Sequence, residues 1–177
     1  MNSLTSAVSA VITDSSGRVL LCQQNQGHRL WGLPGGKIRH CESPVRAVAR
    51  DVREETGLEI LATELVGIYQ LTGNGCGEGL PDVLVHVFRA RIETGEALVN
   101  SPSWIRRVTW TDPGELPEPL TATTRIAVAD AAAGKAGVLR EVQRAIEPEI
   151  PDAEEIRVGL PGRRLEQRGN RPAWKAQ

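Results

Sequence analysis

Aromatic residues make up only 3% of this 177-residue chain: Phe88, Tyr69 and four tryptophans. That excludes a base-stacking surface with many rings and leaves the core to Val, Leu, Ile and Ala. Neither sign of charge is in excess. Lys and Arg total 21, Asp and Glu 22, and the formal charge is −1, so no global field draws in a polyanion or a membrane surface. Cysteine is sparse and odd in number. Cys22, Cys41 and Cys76 lie 19 and 35 positions apart, which fits neither a disulfide framework nor a CxxC metal knuckle. Long hydrophobic runs are missing too, and the N-terminal residues carry neither a basic region nor an apolar stretch of signal length. Together these absences predict a cytoplasmic protein that meets neither membrane nor nucleic acid. The length suits one compact domain followed by a tail.

Short β-branched-rich runs from Ser6 to Thr13 and from Arg18 to Gln24 flank Asp14-Ser15-Ser16-Gly17 and predict a β-hairpin. After the glycine-rich Trp31-Gly32-Leu33-Pro34-Gly35-Gly36, a helix is expected to open at Ser43-Pro44 and end at Gly57. Runs at Leu65 to Leu71, Val83 to Ile92 and Ile105 to Trp110 read as strands. The glycine-rich loop 73–79 suits either a lid or a long connection. A second helix is expected from about Thr123 to Ala133. Val138, Leu139, Val142 and Ile146 recur at helical spacing and suggest a third. A domain of residues 1–147 would precede a proline-rich tail, 148–177, extended or partly ordered. Five acidic residues and no basic one lie between Glu147 and Glu155, against six basic and one acidic between Arg157 and Lys175.

Within the first helix, Asp51, Glu54 and Glu55 stand three and four positions apart and share a face, beside an apolar stripe of Val45, Val48, Ala49 and Val52. Like charges at that spacing destabilise a helix and call for a counter-ion. Arg50 and Arg53 could neutralise them as an ordinary solvated face, or a hard divalent cation could bridge them. The surrounding spacing favours the cation. Gly36, five residues, Glu42, seven residues, then Arg50-Asp51-Val52-Arg53-Glu54-Glu55-Thr56-Gly57-Leu58 closely resembles the Nudix box, with Asp51 in place of its usual glutamate. The lead-in Trp31 to Lys37 is similar to that of MutT-like members, and the resemblance runs from about Leu4 to Ala133.

The resemblance implies an α/β fold, the Nudix α/β/α sandwich with a mixed central β-sheet. It implies a Mg²⁺-dependent pyrophosphohydrolase, with Mn²⁺ as a substitute, that cleaves a nucleoside triphosphate or a nucleoside diphosphate linked to another group. Asp51, Glu54 and Glu55 would be metal ligands together with the Gly35 carbonyl, Asp51 alternatively orienting water. Arg50 would hold the carboxylates through its i to i+4 pair with Glu54, Glu42 would brace the loop, and Lys37 would assist the leaving phosphate. Arg29 and Trp104 are candidates for substrate contact, with His28 and His40 nearby. A homodimer is compatible with the family.

Two departures bear on activity. Asp51 is one methylene shorter than glutamate, and many relatives place a further acid in the segment that here reads Asn100-Ser101-Pro102-Ser103-Trp104. Glu78, Asp82 and Glu96 are the candidate replacements. The second reading is therefore a catalytically weak Nudix-like domain that binds nucleotides or regulates. No subclass marker follows the box, where residues 73–76 are Gly-Asn-Gly-Cys.

Overall fold

The structure is a computed structural model, and it describes residues 4–72 and 82–143. In chain order the elements are β1 (Thr5–Ile12), β2 (Val19–Gln24), β3 (Trp31–Gly32), β4 (Gly35–Lys37), α1 (Pro44–Thr56), β5 (Glu59–Thr72), β6 (Val83–Thr94), β7 (Ile105–Thr111), α2 (Thr124–Ala132) and β8 (Val138–Gln143). Five strands form a mixed sheet in the order β4-β1-β6-β5-β8, and three form a second sheet in the order β3-β2-β7. The fold is α/β, as the resemblance implied.

Strand β1 is paired on both sides, antiparallel to β4 and parallel to β6. A strand so enclosed needs apolar residues on both faces. Val8, Ala10 and Ile12 accordingly enter the core beneath α1, with Leu20, Val48, Val52 and Leu58. Val11 enters a second core beneath α2, with Leu21, Trp31, Tyr69 and Val128. The two helices therefore cover opposite faces. On α1 the buried apolar residues are Ala47, Val48 and Val52, beside buried Asp51 and Thr56, whereas Val45, expected in the stripe, is exposed.

Two expectations are corrected here. The runs read as one hairpin belong to different sheets, because β1 takes both its partners from the larger sheet and the chain crosses over at Asp14 to Arg18. Only the isolated Thr13–Val19 bridge joins them. Asp14 Oδ1 accepts the backbone N–H groups of Ser16 and Arg18, each at 2.9 Å, and fixes the crossing.

The expected third helix is instead strand β8, parallel to β5. Its burial alternates: Val142 is in the core, whereas Leu139 is 79% exposed. Between them Arg140 reaches inward to Asp130, with Nε at 2.9 Å and Nη2 at 2.6 Å. Asp130 also accepts from Tyr69 Oη at 3.1 Å and Lys135 Nζ at 3.0 Å. These bonds hold its carboxyl well below the usual range and tie β8 to α2 and β5.

β8 approaches β5 at Gly67. A Cβ there would stand 2.6 Å from the Val138 carbonyl oxygen and 2.5 Å from Val138 Cγ2, so Gly67→Ala must push β8 outward. We expect a loss of about 1–3 kcal/mol, the usual cost of overpacking, in urea unfolding. An unchanged midpoint would refute this account of the β5–β8 contact.

Candidate active site

Helix α1 is fixed at both ends. Ser43 accepts the Arg46 N–H, Pro44 takes the first turn, and Gly57 closes the helix in the left-handed region at φ 73° with its N–H on the Arg53 carbonyl. The last carbonyls of a helix need partners from elsewhere, and segment 98–101 supplies them. Leu98 and Asn100 donate backbone N–H groups to Thr56 O and Glu55 O, both at 3.0 Å. The Asn100 amide reaches Arg53 O and Glu54 O, and Ser101 Oγ donates to Glu54 O at 2.8 Å. Asn100 and Ser101 thus fix the helix end beside the acidic residues, a role that sequence reading missed.

The acidic face meets strand β4. Gly35 N donates to Glu55 Oε2 at 3.0 Å. Gly35 also lies so close to β1 that a Cβ would fall 2.1 Å from Val8 O, and its φ of 154° disfavours other residues. Next to it, a Cβ on Gly36 would meet Asp51 Oδ2 at 3.0 Å. The glycine pair thus lets the backbone close over two carboxylates.

Arg50 holds this corner together. Its Nε donates to Glu42 Oε1 at 2.7 Å and its Nη2 to Glu42 Oε2 at 2.8 Å and Lys37 O at 3.2 Å. Its Nη1 bonds Asp51 Oδ1 and reaches Glu54 Oε2 at 3.5 Å. The expected Arg50–Glu54 pair is thus the longest of these contacts, and Glu42 is the main partner. The reason is geometric: Glu42 presents both oxygens to the guanidinium fork. Hydrogen bonds from Arg50 and Arg39 lower the Glu42 carboxyl to about 2.

Asp51 and Glu55 are less well compensated. Burial raises both, against Arg50 at Asp51 and the Gly35 N–H at Glu55, and Glu55 reaches about 7. The Asp51 Oδ2 atom is buried without a hydrogen-bond partner. An orphaned buried carboxylate oxygen beside a desolvated carboxyl suits a hard cation with oxygen ligands. Among the described residues no three acid, histidine or cysteine side chains already converge as a metal site. Glu54 is held by Arg39, whose Nη2 lies 3.2 and 3.1 Å from its two oxygens. Arg39 occupies a variable position of the box, and its basic character was the only available signal.

The remaining expected residues are more dispersed. Lys37 is exposed, with its carbonyl on Arg50. Arg29 is exposed, at φ 52°. Trp104 is 64% exposed, and its carbonyl accepts Asn25 N at 2.7 Å. The loops of Arg29 and Trp104 are therefore joined to each other, and Trp104 lies three residues after the helix-capping Ser101. His28 and His40 are exposed. No acid stands at the Asn100–Trp104 segment. Of the candidate replacements, Asp82 directly precedes β6 with its carbonyl on Thr5 N, and Glu96 lies in the loop beside Gly57. Glu78, loop 73–79 and the tail from 148 lie outside the described residues.

The family model for the NUDIX domain matches residues 3–131. The chain belongs to the Nudix family. A MutT-like protein of Streptomyces ambofaciens is 33% identical over 128 residues, 72% of this chain and 77% of that one. An RNA pyrophosphohydrolase of Saccharophagus degradans is 38% identical over 63 residues, 36% of this chain and 37% of that one. The crystal structure of a MutT NUDIX hydrolase from Burkholderia pseudomallei superposes with a TM-score of 0.63 at 30% identity, covering 72% of this chain and 98% of that one. This Nudix pyrophosphohydrolase thus carries its box residues on β4, on α1, in the loop between them and just past the helix end. Members of the family generally use divalent metal ions, in keeping with the donor set around Asp51 and Glu55. No described helix is long and apolar enough to cross a membrane.

The raised Glu55 carboxyl has a consequence for stability. Between about 4.5, its ordinary value, and about 7 the folded protein retains a proton that the unfolded chain has released. Stability contributed at this site is therefore lost as pH rises through that window. In cation-free buffer, Glu55→Gln should stabilise the protein by no more than about 3 kcal/mol near pH 8, and the gain should vanish near pH 4. Thermal melts at both pH values check this; a Glu55→Gln protein less stable than wild type at the higher pH would contradict it.

Proposed function

We propose that this chain is a Mg²⁺-dependent hydrolase, with Mn²⁺ as a substitute, that cleaves the diphosphate bond of a nucleoside triphosphate or of a nucleoside diphosphate linked to another group. The observation that carries this reading is the pairing of the unpartnered Asp51 Oδ2 with the desolvated Glu55 beneath the Gly35-Gly36 backbone. Asp51, Glu54, Glu55 and the Gly35 carbonyl would hold the ion. A bound Mg²⁺ supplies charge neutralisation on the phosphates and lowers the pKa of a bound water.

The chain's own residues do the rest. Asp51 is buried and fixed by Arg50, and where it does not ligate the ion its free oxygen would instead orient water toward phosphorus and take up its proton. As the water oxygen bonds to phosphorus, its proton passes to an acceptor carboxylate, for which Asp51 is the candidate, the bridging P–O bond breaks and the departing phosphate takes up the negative charge. Lys37, exposed at the end of β4, would neutralise that charge. Arg29 and Trp104, on loops joined by the Asn25–Trp104 backbone hydrogen bond, are available for the remainder of the substrate.

The name of the Saccharophagus relative supports a pyrophosphate bond as the target. RNA as substrate fits this chain less well, because a net charge of −1 and six aromatic residues provide little to grip a polyanion. We place the protein in the cytoplasm on the same composition, with the segment after residue 147 as a tail beyond the catalytic domain.

The test is a phosphate-release screen over nucleoside triphosphates, sugar nucleotides, dinucleotides and 5′-triphosphorylated RNA, with Mg²⁺ or Mn²⁺. Hydrolysis of a small nucleotide that falls on the order of 10²-fold in Glu55→Gln is the expected outcome. Tight nucleotide binding without release would favour the binding or regulatory reading instead.

A further inference from the structure

Glu54 is the box carboxylate for which the resemblance implied Arg50 as partner, and that pair is the longest of the Arg50 contacts. Arg50 approaches it only at 3.5 Å, because that guanidinium is already engaged with Glu42, Asp51 and the Lys37 carbonyl. Arg39 instead places one nitrogen between both Glu54 oxygens, at 3.1 and 3.2 Å. The two arginines differ in their surroundings. The Arg50 side chain is 13% exposed, whereas the Arg39 and Glu54 side chains are 61% and 44% exposed. An ion pair that open to solvent is weak and reversible.

Only the head of Arg39 is free in this way. Its backbone N–H donates to Glu42 Oε2 at 3.0 Å, on the carboxylate that Arg50 clamps, and its carbonyl accepts the Glu42 N–H at 3.2 Å. A fixed root under a solvated guanidinium at the rim of an acidic cluster makes a short swinging arm. A carboxylate whose two oxygens both face one guanidinium nitrogen cannot offer the lone pairs on that side to a metal ion at the same time. A cation that takes both Glu54 oxygens from that side would therefore release Arg39. The released group carries donors whose planar spacing matches phosphate oxygens, which the point charge of Lys37 does not.

We propose that Arg39 is an exchangeable counter-ion of Glu54: its guanidinium holds the carboxylate until a divalent cation takes it, and is then passed to a phosphate of the diphosphate substrate. This inference rests on the metal-dependent reading above, and its test separates the two. Full-length wild type, Arg39→Ala and Arg39→Lys are titrated with Mn²⁺ in the absence of substrate, with free Mn²⁺ read by electron paramagnetic resonance. Each is then titrated by calorimetry with methylenediphosphonate, a non-hydrolysable diphosphate, at saturating Mn²⁺.

Arg39→Ala should bind Mn²⁺ about two- to fivefold more tightly than wild type, the scale of an exposed ion pair. It should bind methylenediphosphonate roughly tenfold more weakly, the scale of a charge-assisted hydrogen bond. Arg39→Lys should fall between the two proteins in both titrations. A purely structural role would not move the two affinities in opposite directions. Mn²⁺ affinity in Arg39→Ala equal to or weaker than that of wild type overturns the exchange, and unchanged methylenediphosphonate affinity overturns the transfer. Failure of wild type itself to bind Mn²⁺ would overturn the metal-dependent reading, and this inference with it.

Discussion

The site depends on how one guanidinium distributes its hydrogen bonds. Arg50 joins the end of β4, through the Lys37 carbonyl, and the loop after it, through Glu42, to the first of the clustered carboxylates on α1, Asp51. Clustered acids on a helix repel one another, and burying Asp51 beside Gly36 would be costly without this cation. Glu42 satisfies Arg50 in turn, so the arginine is held rigidly enough to serve as scaffold. The compensation is incomplete, however. Asp51 Oδ2 is left without a partner and Glu55 keeps a raised carboxyl, which is the electrostatic deficit that a divalent cation would fill.

The rest of the fold keeps that arrangement in place. β1, paired on both sides, brings Val8 against Gly35 and so sets how far β4 lies from α1. Val48 and Val52 press the helix onto the sheet, and segment 98–101 satisfies its terminal carbonyls. On the other face, Asp130 with Tyr69, Lys135 and Arg140 secures β8 at the sheet edge. The two layers divide the work: rigid apolar packing under α1 positions the carboxylates, and a polar network under α2 closes the sheet.

The legible parts of the sequence were those encoded locally. Ser43, Pro44 and Gly57 mark the ends of α1, and the spacing of Glu42, Arg50, Asp51, Glu54 and Glu55 along the chain is enough to name the cluster. Sheet membership was not legible. The turn at Asp14 to Arg18 looks like a hairpin, because the partners that pull β1 away, β4 and β6, come from distant parts of the chain. Val138, Leu139 and Val142 satisfied a helical period by coincidence. Their alternation as a strand is visible only when Arg140 is counted as an inward residue, which requires knowing that Asp130 waits for it. The roles of Arg39, Asn100 and Ser101 were hidden for a similar reason, since each acts across a turn or a long loop on a helix that its own neighbourhood does not reveal.

The most direct measurement is the titration of the Glu55 carboxyl by carbon-13 nuclear magnetic resonance, first without divalent cation and then with Mg²⁺. A carboxyl desolvated against the glycine pair and able to ligate a cation should titrate near 7 alone, and should move down by about one unit or more when Mg²⁺ is added. Titration near the ordinary 4.5 under both conditions would contradict the account.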